Sequence, residues 1–340
     1  MHCQRVACRL CVASCTVIWS SVAAQSPTVG KVQQLAPDVY FYEGDIGKGY
    51  CNNGWIVFED YVLVIDANFP AGAREVIRRI RELTKKRIRF AFDTHHHGDH
   101  AYGNQVWVDE GATAVAHTGV LDEMKRLETG QFGGKPGRWE DAAKEREDVR
   151  ASKLKPPTLL FPDTLIFDDG RHRVELHHFG TAHTKGDGIA WLPKERIAFT
   201  GDAVVNGPYN FLGDGDSGAW IETLNKVAAL GAVTVGPGHG PLGKGAIIED
   251  QQTFFRELRR VVQAASTQSP EAVQAAIPSM RDELRKNPSI ARYVSADIAG
   301  QVGKVYTELT GRTLPDRQAE LDAERTHVAW HHGHAHAPGQ

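Results

Sequence analysis

The segment RIRFAFDTHHHGDH, residues 87–100, decides how this 340-residue chain is read. RIRFAFDT has the apolar, aromatic-rich make-up of a buried strand, and it runs directly into a cluster of histidines. Side chains alternate faces in extended backbone, so His95 and His97 point the same way and His96 points elsewhere. Gly98 lets the chain turn before Asp99 and His100. Two imidazoles and a further imidazole–carboxylate pair are thereby gathered around one small volume. Donors of this kind at this density are the ligands of zinc, or of iron or manganese.

Working outward, three more donors follow predicted strands. His183 lies in GTAHTKGD (180–187) after RVELHHF, Asp202 ends IAFTGD, and His239 lies in GPGHGP (236–241) after VTV. Singly, a histidine in a glycine-rich turn is a structural feature. Together, in this order and each at a strand end, they close two coordination spheres.

The rest of the chain supplies the frame. VYFYEG, NGWIVF and YVLVIDA read as strands between 39 and 67, and AGAREVIRRIRELT (71–84) has apolar residues at helical spacing. VDEGATAVAH (108–117) reads as a further strand, and 118–150 is charged, helical and loop-rich. The second half repeats the style, with strands near 164–167, 172–179, 188–192 and 197–201, a helix near 217–230 and a strand at 232–236. Strands alternating with helices in both halves predict two packed sheets with helices outside, an α+β fold. From Ile247 the chain turns helical, and IIEDQQTFFRELRRVVQAA is its clearest stretch.

On the HxHxDH segment, His183, Asp202 and His239, the chain resembles the metallo-β-lactamase superfamily over roughly residues 35–245. The resemblance implies a four-layer αββα sandwich, here with a C-terminal helical extension. It also implies a site of two Zn²⁺ ions per chain, with iron or manganese as alternatives. His95, His97 and His183 would bind the first metal, Asp99, His100 and His239 the second, and Asp202 would bridge them. Asp66, ending VLVIDA, matches a position that braces the metal loop. Such a metal pair lowers the pKa of a shared water and presents hydroxide to a carbonyl or ester. Asp99 is then the catalytic group that orients the nucleophile and takes its proton.

The same comparison narrows the substrate unevenly. Asp202 stands where one class of β-lactamases has a metal-binding cysteine, and a bridging aspartate there is the pattern of thioester, lactone and phosphodiester hydrolases. Glyoxalase II is similar in all seven ligands, although its basic glutathione-binding residues have no match after His239. The expectation is a hydrolase cleaving an ester, lactone, thioester or lactam carbonyl. The alternatives are a β-lactamase proper and a metal-dependent redox or metal-binding protein using the same donors. Loops Gly47–Asn53 and Val205–Phe211 are expected to wall the substrate pocket. Asn206, Tyr209, Asn210 and Phe211 are candidate substrate contacts, with Trp220 as a further aromatic wall. His117, His177 and His178 read as structural histidines.

Composition sets outer bounds. A formal net charge of −3, with 41% hydrophobic and 24% charged residues, fits an ordinary soluble globular protein and argues against a generally basic nucleic-acid binder. Arg5 and Arg9, an apolar stretch from Leu10 to Ala24, and Val22-Ala23-Ala24 before Gln25 describe a secretory signal peptide, residues 1–24, and a periplasmic or secreted protein. Lipidation at Cys15 is an alternative; no transmembrane span is expected. Cleavage removes four of the five cysteines and leaves Cys51, so metal must be bound by histidine and carboxylate. Residues 25–249 are assigned to the metal-binding domain, 250–325 to a helical extension packed on it, and 326–340, with five histidines, to a disordered tail.

Overall fold

The computed structural model describes residues 26–296 and 298–315. The leader and the His-rich tail expected from the sequence lie outside the described residues.

The first sheet holds β1 (Val32–Ala36), β2 (Val39–Tyr42), β3 (Asn53–Val57), β4 (Tyr61–Ile65), β5 (Arg87–Asp93), β6 (Thr113–His117) and β7 (Leu159–Phe161), in that order. Pairing is antiparallel through β4 and parallel from β4 to β7. The second sheet runs β13-β12-β11-β10-β9-β8. Its strands are β8 (Thr164–Asp168), β9 (Arg173–His177), β10 (Ile189–Leu192), β11 (Ile197–Phe199), β12 (Thr234–Gly236) and β13 (Gly243–Lys244). Only β11 and β12 pair in parallel.

Burial on both faces of each sheet follows from strict alternation. In β4, Leu63 and Ile65 face the second sheet, while Val62 and Val64 face the outer helices. In β10, Ala190 and Leu192 face inward, while Ile189 and Trp191 face outward. The inward rows, with Phe41, Phe92, Phe167 and Phe199, form the core between the sheets.

Helix α1 (Pro70–Leu83) covers the outside of the first sheet with Val76, Ile77 and Ile80, beside Trp107 of α3 (Asn104–Asp109). A four-residue turn of helix, α2 (Gly98–Ala101), lies between them in sequence. An insert between β6 and β7 carries α4 (Thr118–Leu127), α5 (Arg138–Glu145) and α6 (Glu147–Arg150). The second sheet is covered by α7 (Ser217–Ala229) and α8 (Ala246–Ala265), followed by α9 (Pro270–Ala275), α10 (Ile277–Arg285) and α11 (Ala299–Thr310). The result is the four-layer α+β sandwich.

One expectation is revised. The strand expected over 108–117 is confined to Thr113–His117, because Val108 and Asp109 complete α3, which is held by the Trp107 indole donating to Ala67 O at 2.8 Å. The C-terminal helices share one buried cluster with Ile189, Trp191 and Val235 of the second sheet. Helix α8 packs on that sheet with Phe254, Phe255 and Leu258.

Candidate metal centre

Every expected metal ligand lies in a loop that leaves a strand. His95, His97, Asp99 and His100 follow β5, His183 lies between β9 and β10, Asp202 follows β11, and His239 follows β12. Asp66 follows β4 and has a left-handed backbone, φ 66°. Its Oδ1 accepts from Thr94 N at 2.9 Å and Thr94 Oγ1 at 2.7 Å, and its Oδ2 lies 3.0 Å from His100 Nδ1. One buried carboxylate therefore ties the start of the histidine segment to its end.

The two halves of the chain meet directly beneath these ligands. Thr94 O accepts from Gly188 N at 2.8 Å. Gly201 has φ 49°, and a Cβ there would come within 2.2 Å of Thr94 Oγ1, so only glycine permits the approach.

The donor atoms can be assigned from their partners. His183 Nδ1 donates to Phe211 O at 2.8 Å, and His97 Nε2 donates to Asp214 Oδ2 at 2.9 Å. The remaining nitrogens, His183 Nε2 and His97 Nδ1, then carry lone pairs and face each other at 2.8 Å. Two acceptors at that distance require a cation or proton between them. His95 Nε2 points into the same volume, fully buried and without a hydrogen-bond partner among the described residues. Burial, with repulsion from His100, His183 and His97, holds the His95 imidazole well below its ordinary pKa, in the neutral form that binds metals.

The second set is as close. His239 Nε2 lies 3.0 Å from Asp99 Oδ2 and 3.3 Å from His100 Nε2, with His100 Nε2 3.4 Å from Asp99. Burial opposes charge on His100 and His239, but the facing carboxylates raise both; for His100, Cys51, Asp66, Asp99 and Asp202 contribute, and for His239, Asp202 and Asp99. Asp202 reaches both sets: its Oδ2 is 3.5 Å from His183 Nε2 and 3.5 Å from His239 Nε2, and its Oδ1 is 3.4 Å from His100 Nε2. Lone pairs facing lone pairs, an orphaned buried nitrogen and two carboxylates together fit divalent cations.

The pocket contacts expected from the sequence separate. Phe211 lies against the centre, its ring 5.9 Å from His97 and 6.0 Å from His183. The Tyr209 ring is 5.7 Å from His239. Asn206 is turned to Pro241 O at 2.8 Å. Asn210 is fully buried and faces away, its Oδ1 accepting from Gln301 of α11 at 2.7 Å. Trp220 is likewise buried behind His183, its indole donating to Ala203 O. Asn52, in the loop before β3, donates to Pro237 O and Gly240 O and so braces the His239 turn. His117 and His178 stack on each other and are held by the carbonyls of Pro162 and Asp187.

An open cleft adjoins the histidine segment itself. It runs from His97, Gly98 and Asp99 over Phe69 and Tyr102 to Arg138 and Glu145 of the insert. Sequence reading missed this wall, because 118–150 shows only charge and weak helical periodicity. It also missed Asp214, one aspartate in the loop GDGDS (213–217). Burial alone would raise the Asp214 carboxyl, but the nearby His96 imidazole and bonds from His97 and Arg138 hold it far below the usual carboxylate range.

Glu128 forms the cleft's floor, accepting from Tyr102 Oη at 2.6 Å and Trp139 N at 2.5 Å. Burial pushes this carboxyl up to about 7 despite those bonds. The folded protein thus keeps a proton that an unfolded glutamate releases near pH 4.3, at its ordinary value of about 4.3. Folded chains bind more protons than unfolded ones across that window, so stability falls as pH rises from about 4 to about 7. Urea midpoints measured from pH 5 to pH 8 are expected to fall more steeply for the wild type than for Glu128→Gln; equal slopes would refute the assignment.

Comparisons with known proteins agree with this geometry. The family model described as the metallo-beta-lactamase superfamily matches residues 46–239. A metallo-beta-lactamase type 2 of Bacteroides fragilis is 32% identical over 122 residues, 34% of this chain; the match spans 47% of that relative, about half its length. Among solved structures, a metallo-beta-lactamase from Pontibacter korlensis aligns over 66% of this chain and 98% of its own, with TM-score 0.54 and 17% identity. The DIM-1 metallo-beta-lactamase, solved after exposure to ceftazidime, aligns over 66% and 96%, with TM-score 0.52 and 18% identity. At such identities these structures speak for the fold alone.

Proposed function

Because this chain belongs to the metallo-β-lactamase superfamily of metal-dependent hydrolases, we propose that it is a dinuclear zinc enzyme that cleaves an ester, lactone, thioester or lactam carbonyl. The observation that carries this reading is Asp202, the one carboxylate among the described residues within 3.5 Å of histidines from both donor sets. His95, His97 and His183 would hold one ion, and Asp99, His100 and His239 the other. When bound, such a pair polarises a carbonyl oxygen and lowers the pKa of water.

The chain's own residues supply the remainder. Asp99 lines the open cleft, so its carboxylate can take the proton of an attacking water. Thr94 and Asp66 fix His100, limiting the reorganisation needed during reaction. Phe211 places an apolar ring beside His97 and His183, restricting water there. The basic and apolar pattern of residues 5–24 supports export as part of the same reading.

The test is metal content followed by a substrate panel. Zinc-loaded protein is expected to hold two ions per chain and to hydrolyse at least one of a lactone, a thioester, an aryl ester or a β-lactam. A single redox-active iron with no hydrolysis would favour the redox alternative. The B. fragilis relative's name keeps β-lactams in the panel.

A further inference from the structure

Among the described residues, His97 is the one histidine of the metal loop whose outer nitrogen is hydrogen-bonded to a side chain from the second half of the chain. That side chain, Asp214, is nearly buried, with 9% of it exposed. Its Oδ2 accepts from His97 Nε2 at 2.9 Å and from Arg138 Nη1 at 2.5 Å, and its Oδ1 accepts from Arg138 Nη2 at 3.0 Å. His96 Nε2 stands 3.7 Å from the same carboxylate, and Arg126 Nη2 stands 3.9 Å away. The loop is brought there by Gly215, where a Cβ would come within 2.3 Å of Ala182 O, and by Asp216 N donating to that carbonyl. His96, His97 and Asp214 are close enough to suggest a separate cation site, but the Arg138 guanidinium already occupies the carboxylate with a two-pronged bond.

Arg138 opens α5 and lines the cleft, and its neighbour Trp139 packs on Tyr102 at 4.7 Å. The chain Arg138–Asp214–His97 therefore runs from the cleft wall to a metal ligand. An outer carboxylate on a ligating histidine fixes its tautomer and raises its basicity, and removing such a partner costs about 10–100-fold in metal affinity.

We propose that Asp214 is the positioning residue of the first metal site and that Arg138, by orienting Asp214, links that site to the wall of the open cleft. The link is reciprocal, as any equilibrium coupling must be: filling the first site steadies the insert, and a docked insert favours metal at the first site.

This inference rests on the metal-centre reading above, and the test separates the two. Zinc is titrated into metal-free full-length protein against a chromophoric chelator. Asp214→Asn is expected to weaken one of two zinc sites about 10–100-fold and to leave the other within about threefold. Arg138→Met should weaken the same site by a smaller factor, with Arg138→Lys between it and wild type; this pair carries the test should Asp214→Asn fold poorly. In metal-free protein, nitrogen NMR should show His97 protonated on Nε2 in wild type and a tautomer mixture in Asp214→Asn. Zinc should slow amide exchange in α5 of wild type and not of Arg138→Met. Zinc affinity within twofold of wild type in Asp214→Asn, with an unchanged His97 tautomer, overturns the proposal. A wild type that binds no zinc overturns the metal-centre reading instead.

Discussion

Asp202→Ala is expected to fold and yet to hydrolyse the preferred carbonyl substrate about a thousandfold more slowly. Asp202 stands among His100, His183 and His239 and is 5% exposed, so its charge acts on both donor sets at low solvent screening. Asp99 and Asp202 are the two carboxylates within the proposed ligand sets, set against the two divalent ions of the proposal. Removing one leaves like charges facing each other, and unit charges at 4 Å repel by about 4 kcal/mol at an effective dielectric of 20. The variant therefore loses an ion or holds it loosely. A lost Lewis acid withdraws several kcal/mol of transition-state stabilisation, and each 1.36 kcal/mol is tenfold in rate, which gives about three orders of magnitude. The check is kcat/KM of zinc-saturated variant and wild type on one substrate, with zinc counted per chain. A value within tenfold of wild type would mean that Asp202 does not join the two sites.

Stripping the metals should lower the melting temperature by roughly 10–20 °C. His97 and His183 present lone pairs to each other at 2.8 Å, and His95 Nε2 has no partner among the described residues, so the metal-free protein must protonate or separate them. A ligand at a thousand times its Kd stabilises the fold by about 4 kcal/mol, and two such ions give twice that. With an unfolding entropy of about 2.1 cal/mol/K per residue, a chain of this size changes its midpoint by about 1.5–2 °C per kcal/mol, which gives about 12–16 °C. Thermal scans with and without chelator, repeated after zinc is restored, measure the difference. An unchanged midpoint would mean that the donors are satisfied without a cation.

The sequence announces the strands best where both faces are buried. YVLVIDA and RIRFAFDT are dense in branched and aromatic residues because Leu63, Ile65 and Phe92 fill the space between the sheets while Val62 and Val64 meet α1. Residues 108 and 109 mislead because Val108 leads into a strand-like stretch but completes a short helix anchored by one indole hydrogen bond. The donors are legible because HxHxDH is dense and each remaining ligand follows a strand.

What supports the donors is not legible, since it comes from contacts across the chain. Asp214 reaches His97 over 117 residues and Arg138 over 76. Nothing in GDGDS separates the first aspartate, which holds a histidine, from the second, Asp216, which caps α7 through Ala219 N at 2.8 Å. Asn210 and Phe211 are adjacent in sequence but face opposite ways, one toward α11 and the other toward the metal loop. Residue type alone could not sort them.

The meeting of Thr94 with Gly201 and Gly188 bears on how this centre can change over time. Each donor set draws members from both sides of that seam, so neither half carries a working set that selection could preserve by itself. A methyl group added at residue 201 would push apart His95 and Asp202, each one residue from the contact, while leaving both sheets intact. Drift at this seam would therefore disturb both donor sets at once, which makes position 201 a shared constraint on descendants of this chain.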